Sequence, residues 1–206
     1  EGYDLSAYPG TVHKDGVKAL IDTIMKSPEP ITLICIGPLP NVAAALEIQP
    51  SIAERSRFIG MHGCLRRSPL EYGDGGGGVV AEYNVVTDPR ACRKAFTALW
   101  EMTITPLDTC GFVRLTGKKY RAVRESNDPL VQALMENYRI WLKGGTGRWS
   151  EEFEAKSSIL FDTVAVYLSL SEELLLMERL GVLVTDYGYT RVDERSKAIN
   201  CATGWR

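Results

Sequence analysis

The sequence offers little that could support a cross-linked or zinc-stapled scaffold. Its five cysteines, Cys35, Cys64, Cys92, Cys110 and Cys201, are odd in number, widely spread and without a Cys-x-x-Cys pair. A disulfide framework or a zinc site therefore finds little support, and the thiols read as reduced in a cytoplasmic protein. Long apolar runs are also missing: none approaches the roughly 18 residues of a membrane span. Nor does any segment have the charged, apolar and small-residue order of a signal peptide, so no membrane partner is expected. Neither sign of charge is in excess, with 24 Lys and Arg against 26 Asp and Glu and a formal net charge of −2. The basic residues are scattered, which leaves no footprint for a phosphate backbone and argues against nucleic acid as a partner. No internal repeat occurs, and the only low-complexity patch is "GDGGGG" (73 to 78).

What is present is an ordinary globular composition, 206 residues and 45% hydrophobic, enough for one sizeable core and one domain. From Asp15 to Lys26, Val17, Leu20, Ile21 and Ile24 recur at the spacing of one helical face, and "PEP" (28 to 30) ends that helix. "ITLICI" (31 to 36) is an uninterrupted β-branched and apolar run of the kind buried in a parallel strand. "GPLPN" breaks it, and helical composition resumes to Ile48. A helix-like "SIAERS" precedes a second strand, "FIGM" (58 to 61), and a helix over 89–100 precedes a third, "MTITPLD" (102 to 108). Strands alternating with helices predict an α/β fold with a mainly parallel sheet flanked by helices. Further on, helices are predicted over 128–142 and 157–170, with the glycine-rich loop "KGGTGRWSE" between them. "VLVTDYGYTRVDE" (182 to 194) suits a strand or hairpin near a sheet edge.

Ligands of open α/β sheets bind at the carboxyl ends of the strands. Three loops qualify: "GPLPN", the stretch from "MHG" to "AEYN", and "LDTCG". Glu82 and Asn84 can face that crevice, although composition alone favours a salt bridge and a turn amide for them. Asp88, before Pro89, reads as a helix N-cap. The glycine run fits neither phosphate-binding pattern and reads as a mobile loop. His62, with no Ser or Cys motif to serve, reads as a packed or hydrogen-bonded loop residue. Asp162 interrupts the apolar 157–170 helix, where an ionised carboxylate costs several kcal/mol unless paired or bound to a cation. A buried partner or a metal is therefore required, and with no His or Cys tetrad nearby a metal would be a hard ion such as calcium.

Taken in order, "ITLICIGPLPNVAAAL", "GMHG", "AEYNVVTDPRA" and "LFDTVAV" resemble the inosine-uridine preferring nucleoside hydrolase family over nearly the whole chain. The resemblance implies an α/β enzyme that hydrolyses the N-glycosidic bond of nucleosides or related ribosides through a calcium-bound water. It also implies a homo-oligomer. Carried over by position, Asp162 and the backbone carbonyl of Ile36 match calcium ligands. Glu82 and Asn84 match the ribose-contacting pair, and Met61 matches a methionine lining the sugar pocket.

The sequence departs from the family in two places. The aspartate-rich loop D-x-D-P-G-x-D-D, which supplies the catalytic base, does not occur, so no catalytic residue is assigned. The residue before the late aspartate, often a histidine that assists base departure, is Phe161, which can instead line a substrate pocket. Residues 1–206 are thus expected to be one nucleoside-hydrolase-like domain that lacks the first strands and also stops early. A parallel sheet without those strands would expose a long apolar edge, which favours a truncated enzyme over the alternative, an inactive ribosyl-ligand-binding or interaction protein.

Overall fold

The amphipathic segment after Asp15 folds as helix α1 (Gly16–Lys26), with Asp15 accepting a hydrogen bond from the Lys18 amide at 2.9 Å. Its apolar stripe buries Ile24 and rests Val17, Leu20 and Ile21 on the core. The computed structural model describes residues 5–69, 77–145 and 153–206. Strand β1 (Ile31–Cys35) follows, then α2 (Pro40–Ile48), β2 (Ser56–Gly60), α3 (Tyr83–Thr87), α4 (Pro89–Thr97) and β3 (Met102–Ile104). The remaining elements are α5 (Leu107–Cys110), α6 (Gly117–Arg124), α7 (Pro129–Gly145), α8 (Thr163–Leu168), β4 (Leu175–Val184), β5 (Thr190–Val192) and β6 (Ala198–Trp205).

The strands form a six-stranded sheet in the order β1-β2-β3-β6-β4-β5. β1, β2, β3 and β6 run parallel, while β4 lies antiparallel to β6, and β5 antiparallel to β4. The sheet is therefore mainly parallel and flanked by helices, as the alternating pattern predicts. Its register aligns Cys35 with Gly60 and Gly60 with Ile104, so the first three strands end at one level. Whatever follows each of them is delivered to a single crevice.

Successive strand residues point to opposite faces, and the core divides accordingly. Phe58 joins a cluster with Ile24, Leu46 and Phe96 under α1, α2 and α4. Ile59 joins one with Leu107, Val164 and Leu168 under α5 and α8. The five cysteines are all buried and none is disulfide-bonded. No described helix is long and apolar enough to cross a membrane.

Several elements differ from expectation. The helix predicted over 157–170 is confined to Thr163–Leu168. Upstream, the Ser157 amide donates to the Leu115 carbonyl and the Leu160 amide to the Val113 carbonyl, both at 2.9 Å, so this stretch pairs with an extended neighbour instead. The Ser157 hydroxyl reinforces that pairing by accepting from the Leu115 amide. Asp162 consequently stands at the exposed start of α8 and is not buried in an apolar helix. α4 ends at Thr97, three residues early, because the Trp100 indole folds back and donates to the Ala95 carbonyl at 2.9 Å. The predicted edge hairpin is present as the end of β4 with β5. Strand β6 and helix α6 carry no expectation from the sequence. The glycine run at 73–76 and residues 146–151 of "KGGTGRWSE" lie outside the described residues.

Candidate functional site

At the aligned strand ends lies a cleft of about 710 Å³. Ile36, Met61, Glu82, Asn84, Phe161 and Asp162, the six residues singled out from the sequence, all line it. Each reaches it from a different kind of support.

Met61 follows β2 directly, and its amide donates to the Cys35 carbonyl at 2.9 Å, continuing the ladder one step beyond the strands. Gly63 then turns with φ at +86°, and a Cβ there would meet the Thr190 hydroxyl oxygen at 2.7 Å. That hydroxyl accepts from the Cys64 amide at 2.9 Å and donates to the Cys64 carbonyl at 3.1 Å. Asp108, fully buried in α5, accepts from the amides of Leu65 at 2.8 Å, Arg66 at 2.7 Å and Arg67 at 3.3 Å. The loop after β2 is thus held by side chains from two distant segments. Asp108 was missed among the sequence candidates, and its only signal was its place in "LDTCG".

Glu82 is the N-cap of α3 and is 4% exposed. Its Oε1 accepts from the Asn84 amide at 2.8 Å, and its Oε2 accepts from Gly63 at 3.1 Å and Val85 at 3.3 Å. Burial pushes this carboxyl above its ordinary value, the three N–H donors pull it back, and the charge of Asp162 adds to the upward push. Asn84, equally buried, donates its amide to the Met61 carbonyl at 2.9 Å and to the Met61 sulfur at 3.3 Å. The salt-bridge reading of Glu82 fails: its partners are backbone amides. Asp88 does cap α4, accepting from the Ala91 amide at 2.9 Å.

A carboxylate has about four lone-pair sites, so the three amides leave Glu82 one acceptor position on Oε1. Both amide protons of Asn84 are engaged, which leaves its Oδ1 as an acceptor. Between apolar walls formed by Ile36, Val80, Leu107 and Phe161, this side of the cleft presents acceptors. It suits a ligand that donates from hydroxyl groups.

Asp162 makes no side-chain capping bond, and desolvation at the cleft pushes its carboxyl upward although the residue is exposed. Calcium needs six to eight oxygen ligands. Among the described residues no group of three or more His, Cys, Asp or Glu side chains could hold a metal ion. Asp162 is one open carboxylate and Glu82 is largely engaged, so the described residues do not by themselves make a calcium site.

His62 lies behind the cleft, fully buried, as a packed and hydrogen-bonded loop residue. Its Nε2 is 3.0 Å from the Gly37 carbonyl, and burial pushes the imidazole down to about 4.

The same arrangement of elements recurs in known proteins. The structure resembles a purine-preferring ribonucleoside hydrolase from Gardnerella vaginalis, with a TM-score of 0.77 and 22% identity over 96% of this chain and 63% of that one. It also resembles an inosine-uridine preferring nucleoside hydrolase from Bacillus anthracis, with a TM-score of 0.66 and 21% identity over 95% of this chain and 62% of that one. At those identities the likeness establishes the fold. In sequence, 92 residues are 39% identical to the pyrimidine-specific ribonucleoside hydrolase RihB of Escherichia coli O1:K1, which is 45% of this chain and 28% of that protein. A putative pyrimidine-specific ribonucleoside hydrolase RihB from Shigella boydii is likewise 39% identical over 92 residues, which is 36% of its length. The chain thus spans under two thirds of these structures, and the matched stretch about a third of the curated relatives. Residues 4–205 match the inosine-uridine preferring nucleoside hydrolase family, and with the shared fold this places the chain as a member of that family.

Proposed function

We propose that this protein hydrolyses the N-glycosidic bond of ribonucleosides and that the 710 Å³ cleft receives the ribosyl group. The observation that carries the reading is the acceptor-only wall made by Glu82 and Asn84. A ribose diol donates two hydroxyl hydrogens, and the free positions on Glu82 Oε1 and Asn84 Oδ1 can take them. Both atoms are fixed beforehand by backbone contacts, so little entropy is lost when the sugar docks. As the sugar becomes cationic in the transition state its hydroxyls grow more acidic, and bonds to a carboxylate strengthen. Met61 and Phe161 supply apolar contact and exclude water.

Calcium is part of the same proposal. Asp162 would be one ligand and the carbonyl of Ile36 another, with the rest of the coordination shell coming from other groups. Bound there, the ion would supply electrostatic activation of a water. No base for that water is assigned among these residues. The five buried, unpaired thiols support a reducing, cytoplasmic setting.

The test is release of free ribose from a panel of inosine, uridine and cytidine by the protein as its source makes it, with calcium present and after chelation. Calcium-dependent ribose release that falls sharply in Glu82→Gln supports the reading. Intact nucleosides throughout the panel would overturn it.

A further inference from the structure

His62 stands in a costly position for a residue whose role is packing. Its ring sits against Phe58 and Phe96, with centroids 5.9 and 6.4 Å away. Its Nδ1 is buried and has no hydrogen-bond partner. Gly60 must remain a glycine beside it, since a Cβ there would lie 2.5 Å from Nδ1. An unpaired buried nitrogen costs roughly 1–3 kcal/mol, and a phenylalanine in the same cage would avoid that. What the imidazole gains over an apolar ring is one bond, from Nε2–H to the Gly37 carbonyl at 3.0 Å.

That bond crosses between the two walls of the cleft. Ile36, Gly37 and Pro38 form the wall that follows β1, and Met61 belongs to the wall that follows β2. Within the first wall Pro38 and Pro40 have no N–H to donate, and Leu39 is anchored on its α2 side, its side chain buried in the core and its carbonyl accepting from the Ala43 amide at 2.9 Å. The second wall is fixed by Glu82, Asn84, Asp108 and Thr190. We infer that His62 is a positioning residue that ties the Ile36–Pro38 wall to the fixed Met61 wall and so sets the width of the riboside cleft. The inference rests on the ribosyl reading of that cleft.

Hydrogen exchange and steady-state kinetics on the wild-type protein, His62→Phe and His62→Gln test it. Glutamine carries an N–H at about the reach of Nε2, whereas phenylalanine fills the cage without a donor. In His62→Phe the amides of Met61 and Ala43, which donate to the Cys35 and Leu39 carbonyls on either side of Gly37, should exchange about tenfold faster while those of β3 keep their protection, the size expected for one lost hydrogen bond. KM for ribosides should rise by a similar factor with kcat less affected. His62→Gln should restore both. Where His62→Phe does not fold, His62→Leu takes its place, and ring nitrogen shifts of the wild-type protein give an independent reading: Nε2 must carry the proton and Nδ1 must not. Unchanged exchange at 43 and 61 in a folded donorless variant, or a proton on Nδ1, overturns the inference. If the wild-type protein releases no ribose, the ribosyl reading fails, and the exchange data still decide whether His62 ties the walls.

Discussion

The two carboxylates that face the cleft are held in opposite ways. On the inner wall, Glu82 is nearly sealed and spends three of its acceptor positions on backbone amides. On the outer wall, Asp162 is open to solvent and makes no capping bond. A group that must recognise a fixed hydroxyl pattern gains from being immobilised in advance. One that must meet an ion alongside ligands from elsewhere is better left uncommitted. The contrast separates a carboxylate whose bonds are already committed from one whose bonds are not.

Removing the deepest support of the inner wall should have the largest effect. Asp108→Ala strands the amides of Leu65, Arg66 and Arg67, and we expect a loss of about 4 kcal/mol in denaturant unfolding, because each bond is to a charged acceptor. A variant within 1 kcal/mol of wild type would show that the loop after β2 holds itself.

Acid should act next. The folded imidazole of His62 is depressed to about 4 from an ordinary 6.5, so the unfolded chain binds the proton first. The stability this group contributes is complete above pH 6.5 and is lost as pH falls toward 4, by up to about 3 kcal/mol. Unfolding free energies measured across that window should lose this slope in His62→Gln.

Glu82→Gln follows. It turns one acceptor oxygen into a donor facing backbone N–H groups, and should destabilise by about 2 kcal/mol while weakening riboside binding at least about tenfold. Equal affinity by calorimetry would remove Glu82 from ribose recognition. Asp162→Asn should be the mildest in stability, within about 0.5 kcal/mol, since the side chain is exposed and uncapped. Calcium affinity should nonetheless fall steeply in the same variant. If its melting temperature moved and its metal affinity did not, the contrast between the two walls would be inverted.

The sequence was legible where a pattern is local. Four apolar residues at helical spacing mark α1, the run "ITLICI" marks β1, and Asp88 before Pro89 marks the start of α4. The residues of the cleft were legible because the motif order is that of a family, although Glu82 reads as half of a salt bridge until Gly63, Asn84 and Val85 are seen to donate to it. What escaped depends on pairing across the chain. Apolar Ser157–Leu168 has helical composition, yet its first half is claimed by the segment 113–116. β6 interleaves Ile199, Thr203 and Trp205 with Asn200, Ala202 and Gly204, a mixture with no clear strand pattern that is extended because β3 and β4 flank it. Asp108 resembles any loop aspartate until three amides from 41 to 43 residues away converge on it.

The threonine that brackets Cys64 has a consequence for how the molecule is made. Thr190 satisfies both backbone groups of a residue 126 positions earlier in the chain. Contacts so distant in sequence form late, because the closure entropy of the intervening chain must first be overcome. During synthesis the loop after β2 leaves the ribosome long before the β4–β5 hairpin that secures it. Until that hairpin arrives, the glycine turn at 63 lacks its brace, and a nascent chain should acquire this wall of the cleft only after the hairpin has emerged.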